Sequence, residues 1–102
     1  MKHRESVLIS TIYHPKPGME DKFVFVWNRG LCNLAYEMGA HMAGLYHNEE
    51  YEEFLSASYW PSRKVAEAFL DSPKLKKITE ELNKLCLVPA SREMFDILRE
   101  AI

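Results

Sequence analysis

Between Phe54 and Ser72 the chain switches hydrophobic period. Phe54, Leu55, Ala57, Tyr59 and Trp60 read as a strand, Pro61-Ser62 interrupts it, and Val65, Ala66, Phe69 and Leu70 then recur at helical spacing up to Ser72-Pro73. Ser62 stands where an N-cap side chain would accept a hydrogen bond from a free backbone N–H. Ser72-Pro73 repeats the device as cap and first helical residue, so two helices should follow the strand in close succession.

The rest of the pattern supplies the partners of these elements. Val7 to Tyr13 is β-branched and aromatic and apolar on both parities, as in a central strand with both faces covered. His14-Pro15-Lys16-Pro17-Gly18 ends it, because two prolines and a glycine remove donors and turn the chain. From Asp21 to Met38 the residues Phe23, Val26, Trp27, Leu31, Leu34 and Met38 mark one buried helix face, and Gly39 is a natural stop. A second strand (His41 to His47) and a third (Glu53 to Trp60) flank the acidic turn Asn48-Glu49-Glu50-Tyr51-Glu52 and should form a hairpin. After a short helix from Ser62 to Asp71, another starts at Pro73 with Leu75, Ile78, Leu82 and Leu85 on one side, and ends near Leu87-Val88-Pro89. Arg92 to Leu98 fits helix or strand. Strand is chosen because Phe95 and Ile97 alternate with charged residues and a fourth strand closes the sheet.

The order β-α-β-β-α-β, its second helical region split in two, defines an α+β ferredoxin-like fold: a four-stranded antiparallel sheet with helices on one face. The other face would carry one parity of Val7 to Tyr13 together with Ala43 and Leu45, an apolar surface that calls for a second sheet. With 102 residues the chain is expected to be one domain, and a domain this small gains from a partner subunit. A homodimer through the open sheet face is the expected assembly.

Composition narrows the function classes. A hydrophobic share of 47% and a charged share of 27% suit a globular protein, and no apolar run approaches the roughly 20 residues of a membrane span. Met1-Lys2-His3-Arg4-Glu5 leads into a strand-like segment without the apolar region of a signal peptide, so a cytoplasmic address is expected. A formal net charge of −2 with mixed signs offers no footprint for nucleic acid or an anionic membrane. Lys74, Lys76 and Lys77, early in a helix, form the densest basic cluster and read as a solvated face before an anion site. Cys32 and Cys86 both fall in predicted helices without metal-ligand spacing and read as free thiols.

Candidate chemistry centres on the strands. Trp60 at the end of strand three either walls a pocket and offers its N–H to a ligand, or packs beneath the following helix. Tyr46 shares its parity, so the two bracket a cavity if both face the helices. His41 and His47 share a parity on strand two and His14 closes strand one; each is a base near neutrality or a surface histidine. Asn33 and Arg29 lie off the apolar stripe of helix one and could bond a ligand, while Ser10 and Thr11 are polar within a buried-looking strand and need partners. There is no nucleophile triad, phosphate loop or dinucleotide fingerprint, so no nicotinamide or flavin is expected, and no metal.

Pro17-Gly18, Gly39-Ala40-His41-Met42-Ala43-Gly44, and Tyr59-Trp60-Pro61-Ser62 with Ala68-Phe69 and Ser72-Pro73 resemble the antibiotic biosynthesis monooxygenase family of dimeric α+β barrels, over nearly the whole chain. The resemblance implies a cofactor-independent oxygenase of a small aromatic or enolisable molecule, in which the phenolate itself supplies electrons to O₂. It matches Tyr46 and Trp60 to pocket residues, while Ser56, Ala66 and Glu80 stand where the quinone-forming members carry Asn, Tyr and Arg. In the haem-degrading branch the catalytic Asn, Trp and haem-ligating His would fall on Thr11, Phe69 and Thr79, which supplies no iron ligand. The site set is then Tyr46, Trp60, Thr11, Ser56 and Asn33 for substrate, with His41 or His47 as base. A non-catalytic binding or stress-response module is the alternative, ahead of a haem protein or a small-metabolite isomerase.

Overall fold

The computed structural model describes residues 6–99. Its elements are β1 (Val7–Tyr13), α1 (Glu20–Val26), a π-helical segment (Trp27–Cys32), α2 (Asn33–Glu37), β2 (Met42–Asn48), β3 (Glu53–Trp60), α3 (Arg63–Leu70), α4 (Pro73–Lys84) and β4 (Ser91–Asp96). The four strands form one antiparallel sheet in the order β2-β3-β1-β4. This is the ferredoxin-like α+β arrangement expected from the hydrophobic pattern, and the ambiguous last segment is a strand. Among the described residues, no helix is long and apolar enough to cross a membrane.

The sheet has two unlike faces. On β1, Val7, Ile9, Thr11 and Tyr13 are buried and alternate with half-buried Leu8, Ser10 and Ile12. Register continues the buried face onto β3 as Phe54, Ser56, Ser58 and Trp60, which pair with Tyr13, Thr11, Ile9 and Val7. Over this face pack Phe23, Trp27 and Leu31 from the first helical region and Ala66, Phe69, Leu75 and Leu82 from α3 and α4. Side chains of this size stabilise by about 1.5–3 kcal/mol each when fully buried, so this layer carries most of the folding energy.

The other face holds Leu8, Ile12, Leu55 and Tyr59 on the interior strands, with Met42, Tyr46 and Phe95 exposed on the two edge strands. Ala43 and Leu45, expected on this open face, lie on the helix side instead. The hairpin explains the difference. Asn48 pairs with Glu53 across a four-residue turn, so paired residues have opposite parity and the even positions of β2 share a face with the odd positions of β3. The turn is held by Asn48, whose Oδ1 accepts from the Glu50 and Tyr51 N–H groups at 3.0 and 3.4 Å, and by Glu52 in the left-handed region at φ 50°.

The helix ends follow the sequence with one exception. Ser62 Oγ accepts from Val65 N–H at 3.2 Å and caps α3, and Pro73 opens α4, but Ser72 makes no side-chain capping bond. Gly39 adopts φ 106° at the end of the first helical region, a conformation that favours glycine. Cys86 lies beyond the end of α4 rather than within it, in an isolated bridge to Pro15.

The π segment is the local feature the pattern did not announce. Phe23, Trp27, Leu31 and Ala35 are all buried at a strict four-residue repeat. In an α-helix of 3.6 residues per turn such a repeat would precess by about 40° per step. A wider i→i+5 turn absorbs that drift and keeps all four on the sheet. The same segment is crossed by α4 at Gly30, where any Cβ would stand 3.1 Å from Ile78 Cγ2.

Candidate functional site

A groove of about 630 Å³ runs between the first helical region and edge strand β2. That volume is in the range of small-molecule sites. The helical side contributes Val24, Phe25, Trp27, Asn28 and Cys32; β2 contributes Ala43, Leu45, Tyr46 and His47; Phe54 of β3 is also on the lining. The walls are therefore chiefly apolar and aromatic, with polar groups from Asp21, Asn28 and His47.

Trp27 is fixed in this wall by one buried hydrogen bond: its Nε1–H donates to Ser56 Oγ at 2.9 Å. The π turn sets the indole over the sheet, and Ser56 is on the helix face because it pairs with Thr11 and Leu45. His47 stacks on Phe54 with ring centroids 4.5 Å apart and 24° between planes. Phe54 in turn packs on Phe23, and Phe23 on Tyr13, so the imidazole rests on a rigid aromatic column. Burial pushes the Cys32 thiol up, which keeps it protonated near neutrality, a soft wall and weak donor.

His47 and Phe54 also border a second cavity of about 480 Å³ at the turn end of the sheet, where His14, Glu20, Glu49, Glu50 and Glu52 gather. His14 Nε2 is 3.8 Å from Glu53 Oε2. Among the described residues, no group of three or more His, Cys, Asp or Glu side chains is placed to hold a metal ion.

The structure divides the sequence-derived residues. His47 lines the groove, whereas exposed His41 precedes β2 and donates its backbone N–H to Tyr59 O at 2.8 Å, away from the lining. Tyr46 and Trp60 do not bracket a cavity: Tyr46 pairs with Leu55 and belongs to the open face, whereas Trp60 pairs with Val7 on the helix face. Tyr46 still reaches the groove rim, its ring folded over Gly44, where a Cβ would meet the phenol oxygen at 2.7 Å. Trp60 is 0% exposed, packs on Phe69 and donates its N–H to Ser58 Oγ at 2.8 Å, and it is not on the groove lining. Ser56 stands behind Trp27. Thr11 is buried beside Arg92, whose Nε lies 3.5 Å from Thr11 Oγ1. Asn33 is exposed and donates to Arg29 O at 3.0 Å, away from the groove lining.

Trp27 thus occupies the wall position that the sequence reading gave to Trp60. The signal for a buried Trp27 was present in the four-residue repeat of Phe23, Trp27, Leu31 and Ala35, which a widened helical turn keeps on one face. Asn28, Leu45 and Cys32 were not singled out as groove residues, because nothing in the sequence shows which helix flank faces an edge strand.

The sequence matches no family model and no curated protein. Solved structures share the fold. A protein of Mycobacterium tuberculosis is 18% identical, with a TM-score of 0.80 over 95% of this chain and 99% of its own. SnoaB from Streptomyces nogalater, a cofactor-independent oxygenase solved as a mutant, is 14% identical, with a TM-score of 0.80 over 94% of this chain and 96% of its own. A Caulobacter crescentus protein provisionally named antibiotic biosynthesis monooxygenase is 10% identical, with a TM-score of 0.82 over 94% of this chain and 92% of its own. The fold of this chain is that of the structures named antibiotic biosynthesis monooxygenase, as the sequence resemblance implied.

Proposed function

We propose that the protein binds a small aromatic or enolisable molecule in the groove between the first helical region and β2, and oxidises it with O₂ without an organic cofactor. The observation that carries this reading is the seat of His47: an imidazole stacked on Phe54 at the edge of an apolar cleft walled by Trp27 and Leu45. A neutral imidazole nitrogen can accept a proton from an activated methylene or phenol there. The resulting anion supplies electrons to O₂. A new C–O bond forms, the O–O bond breaks, one oxygen remains as a carbonyl and the other leaves as water. The chain's own tasks are to orient the ring, exclude bulk water and hold the proton at His47.

The active form is proposed to be a homodimer through the open face, where Leu8, Ile12, Leu55 and Tyr59 have no covering layer among the described residues and Met42, Tyr46 and Phe95 flank them. A cytoplasmic address fits two free cysteines, Cys32 and Cys86.

A second reading, binding without turnover, is favoured by the positions that depart from the quinone-forming pattern. Ser56 Oγ is engaged by Trp27, Ala66 is fully buried and Glu80 is at the surface, so none of the three offers a reactive group to the groove. Parallel assays separate the readings: anaerobic titration of naphthols and anthrones followed by tryptophan fluorescence, and aerobic assay of the same compounds by product chromatography. Binding with oxidised product supports the oxygenase, binding without product supports the second reading, and no binding removes both.

A further inference from the structure

The other half of the sheet carries hydrogen-bond donors that, among the described residues, have no anionic acceptor. Thr11 and Tyr13 project from β1 on the helix face, and Arg92 lies opposite Thr11 on edge strand β4. Tyr13 is 0% exposed, yet its hydroxyl has no hydrogen-bond partner among the described residues. Buried hydroxyls nearly always find partners, so the exception needs an explanation. The charged group facing this hydroxyl is the Arg92 guanidinium, and Cys86 is the other titratable neighbour. Burial pushes the Cys86 thiol up, so it stays protonated at neutral pH and supplies no negative charge. Arg92 itself is exposed and, among the described residues, has no carboxylate partner; its Nε makes a long 3.5 Å approach to Thr11 Oγ1, and its guanidinium also faces the Tyr13 hydroxyl oxygen. Within the same strand there is a contrast: Asp96, on the same face of β4, is paired with Arg63 of α3.

The remaining N–H groups of the arginine fork and the buried Tyr13 O–H hydrogen have no anionic acceptor among the described residues, which makes them complementary to an oxyanion. We infer that Arg92, Tyr13 and Thr11 form a binding site for a small carboxylate or phosphate, separate from the groove and on the β1–β4 side of the sheet. The anion takes two N–H groups of the planar guanidinium, and a small outward rotation of Arg92 opens the Tyr13 hydroxyl to it. The exposed position of Arg92 on an edge strand provides the entry path.

The test is titration of the full chain with sodium phosphate and, separately, sodium acetate at constant ionic strength, followed by NMR shifts of the Arg92 Nε–H and of the Thr11 and Tyr13 amides. Saturable shifts confined to these groups are expected, with the preferred anion identifying carboxylate or phosphate chemistry. Arg92→Gln should abolish saturation, and Tyr13→Phe, which keeps the ring packing, should weaken binding about tenfold, as loss of one hydrogen bond to a charged group does. A Lys64→Ala control should change nothing. Absence of saturable shifts, or equal weakening by Lys64→Ala, would overturn the site. Arg92→Lys covers the case in which the glutamine variant is unstable: it should retain charge and lose most of the affinity, and full retention would contradict bidentate recognition.

Discussion

The indole N–H of Trp27 donates to Ser56 Oγ at 2.9 Å, tying the π turn of the first helical region to an interior strand across 29 residues of sequence. Removing the acceptor leaves a buried donor unpaired, which costs about 1–3 kcal/mol. Ser56→Ala is therefore expected to lower the melting temperature by several degrees, and to weaken any ligand of the groove, because Trp27 loses its orientation. Thermal denaturation and ligand titration of the same variant check both effects. Ser58→Ala, which frees the N–H of Trp60 instead, should lower stability comparably and leave groove binding intact.

The crossing of α4 over the π segment depends on Gly30. A valine there would drive its methyl groups into Ile78, whose side chain is already 3.1 Å from a bare Cβ position. Overpacking of this kind costs about 1–3 kcal/mol, and Gly30→Val should show it in urea unfolding. Adding Ile78→Ala should recover part of the loss, giving a favourable coupling in a double-mutant cycle.

How far the fold was legible in the sequence can be judged at the two tryptophans. Strand positions, the hairpin, the split second helical region and the caps at Ser62 and Pro73 all depend on local chemistry, which one sequence carries. Register does not. The four-residue turn between Asn48 and Glu53 sends Tyr46 to the open face and Leu45 to the helix face, and the alternation of apolar residues in β2 is too weak to forecast that. The exchange of Trp60 for Trp27 as the groove wall has the same origin, since it depends on a π turn and on which edge strand the helix borders. His47 was named as a candidate, but so was His41, and only tertiary structure separates them.

The capping serines give a paired comparison. Ser62 Oγ accepts a hydrogen bond from Val65 N–H, whereas Ser72 has the sequence of a cap without the bond. Ser62→Ala should cost about 1 kcal/mol, and Ser72→Ala distinctly less. Equal losses in chemical denaturation would contradict the capping geometry.

Alkaline pH should lower the stability of the protein through Tyr13 and Cys86. Burial raises the Tyr13 hydroxyl above its ordinary 10.0 and the Cys86 thiol above its ordinary 9.0. Both groups stay protonated longer in the folded chain than in the unfolded one. Their stabilisation is complete below the unfolded values, declines as pH rises above about 9 for Cys86 and about 10 for Tyr13, and levels off past the folded values. Tyr13→Phe should flatten the upper part of the stability curve, measured by urea unfolding from about pH 8 to 11.

The open face yields the test of assembly. Leu55 projects there from an interior strand, paired with Ile12 and Tyr46. Leu55→Asp should place a charge in the proposed interface and convert the proposed homodimer to monomer in sedimentation equilibrium, with the far-ultraviolet circular dichroism retained. A wild-type protein that sediments as a monomer would remove the dimer.

The groove itself is tested most directly by oxygen uptake of the purified protein against hydroxylated anthracyclines, naphthols and catechols, with His47→Gln, Trp27→Phe and Trp60→Phe assayed alongside. Uptake that falls at least about tenfold in the His47 and Trp27 variants and persists in Trp60→Phe is the expected result. Uptake that survives both groove substitutions, or that only Trp60→Phe abolishes in a folded protein, would contradict the assignment of the site to the cleft between the π segment and β2.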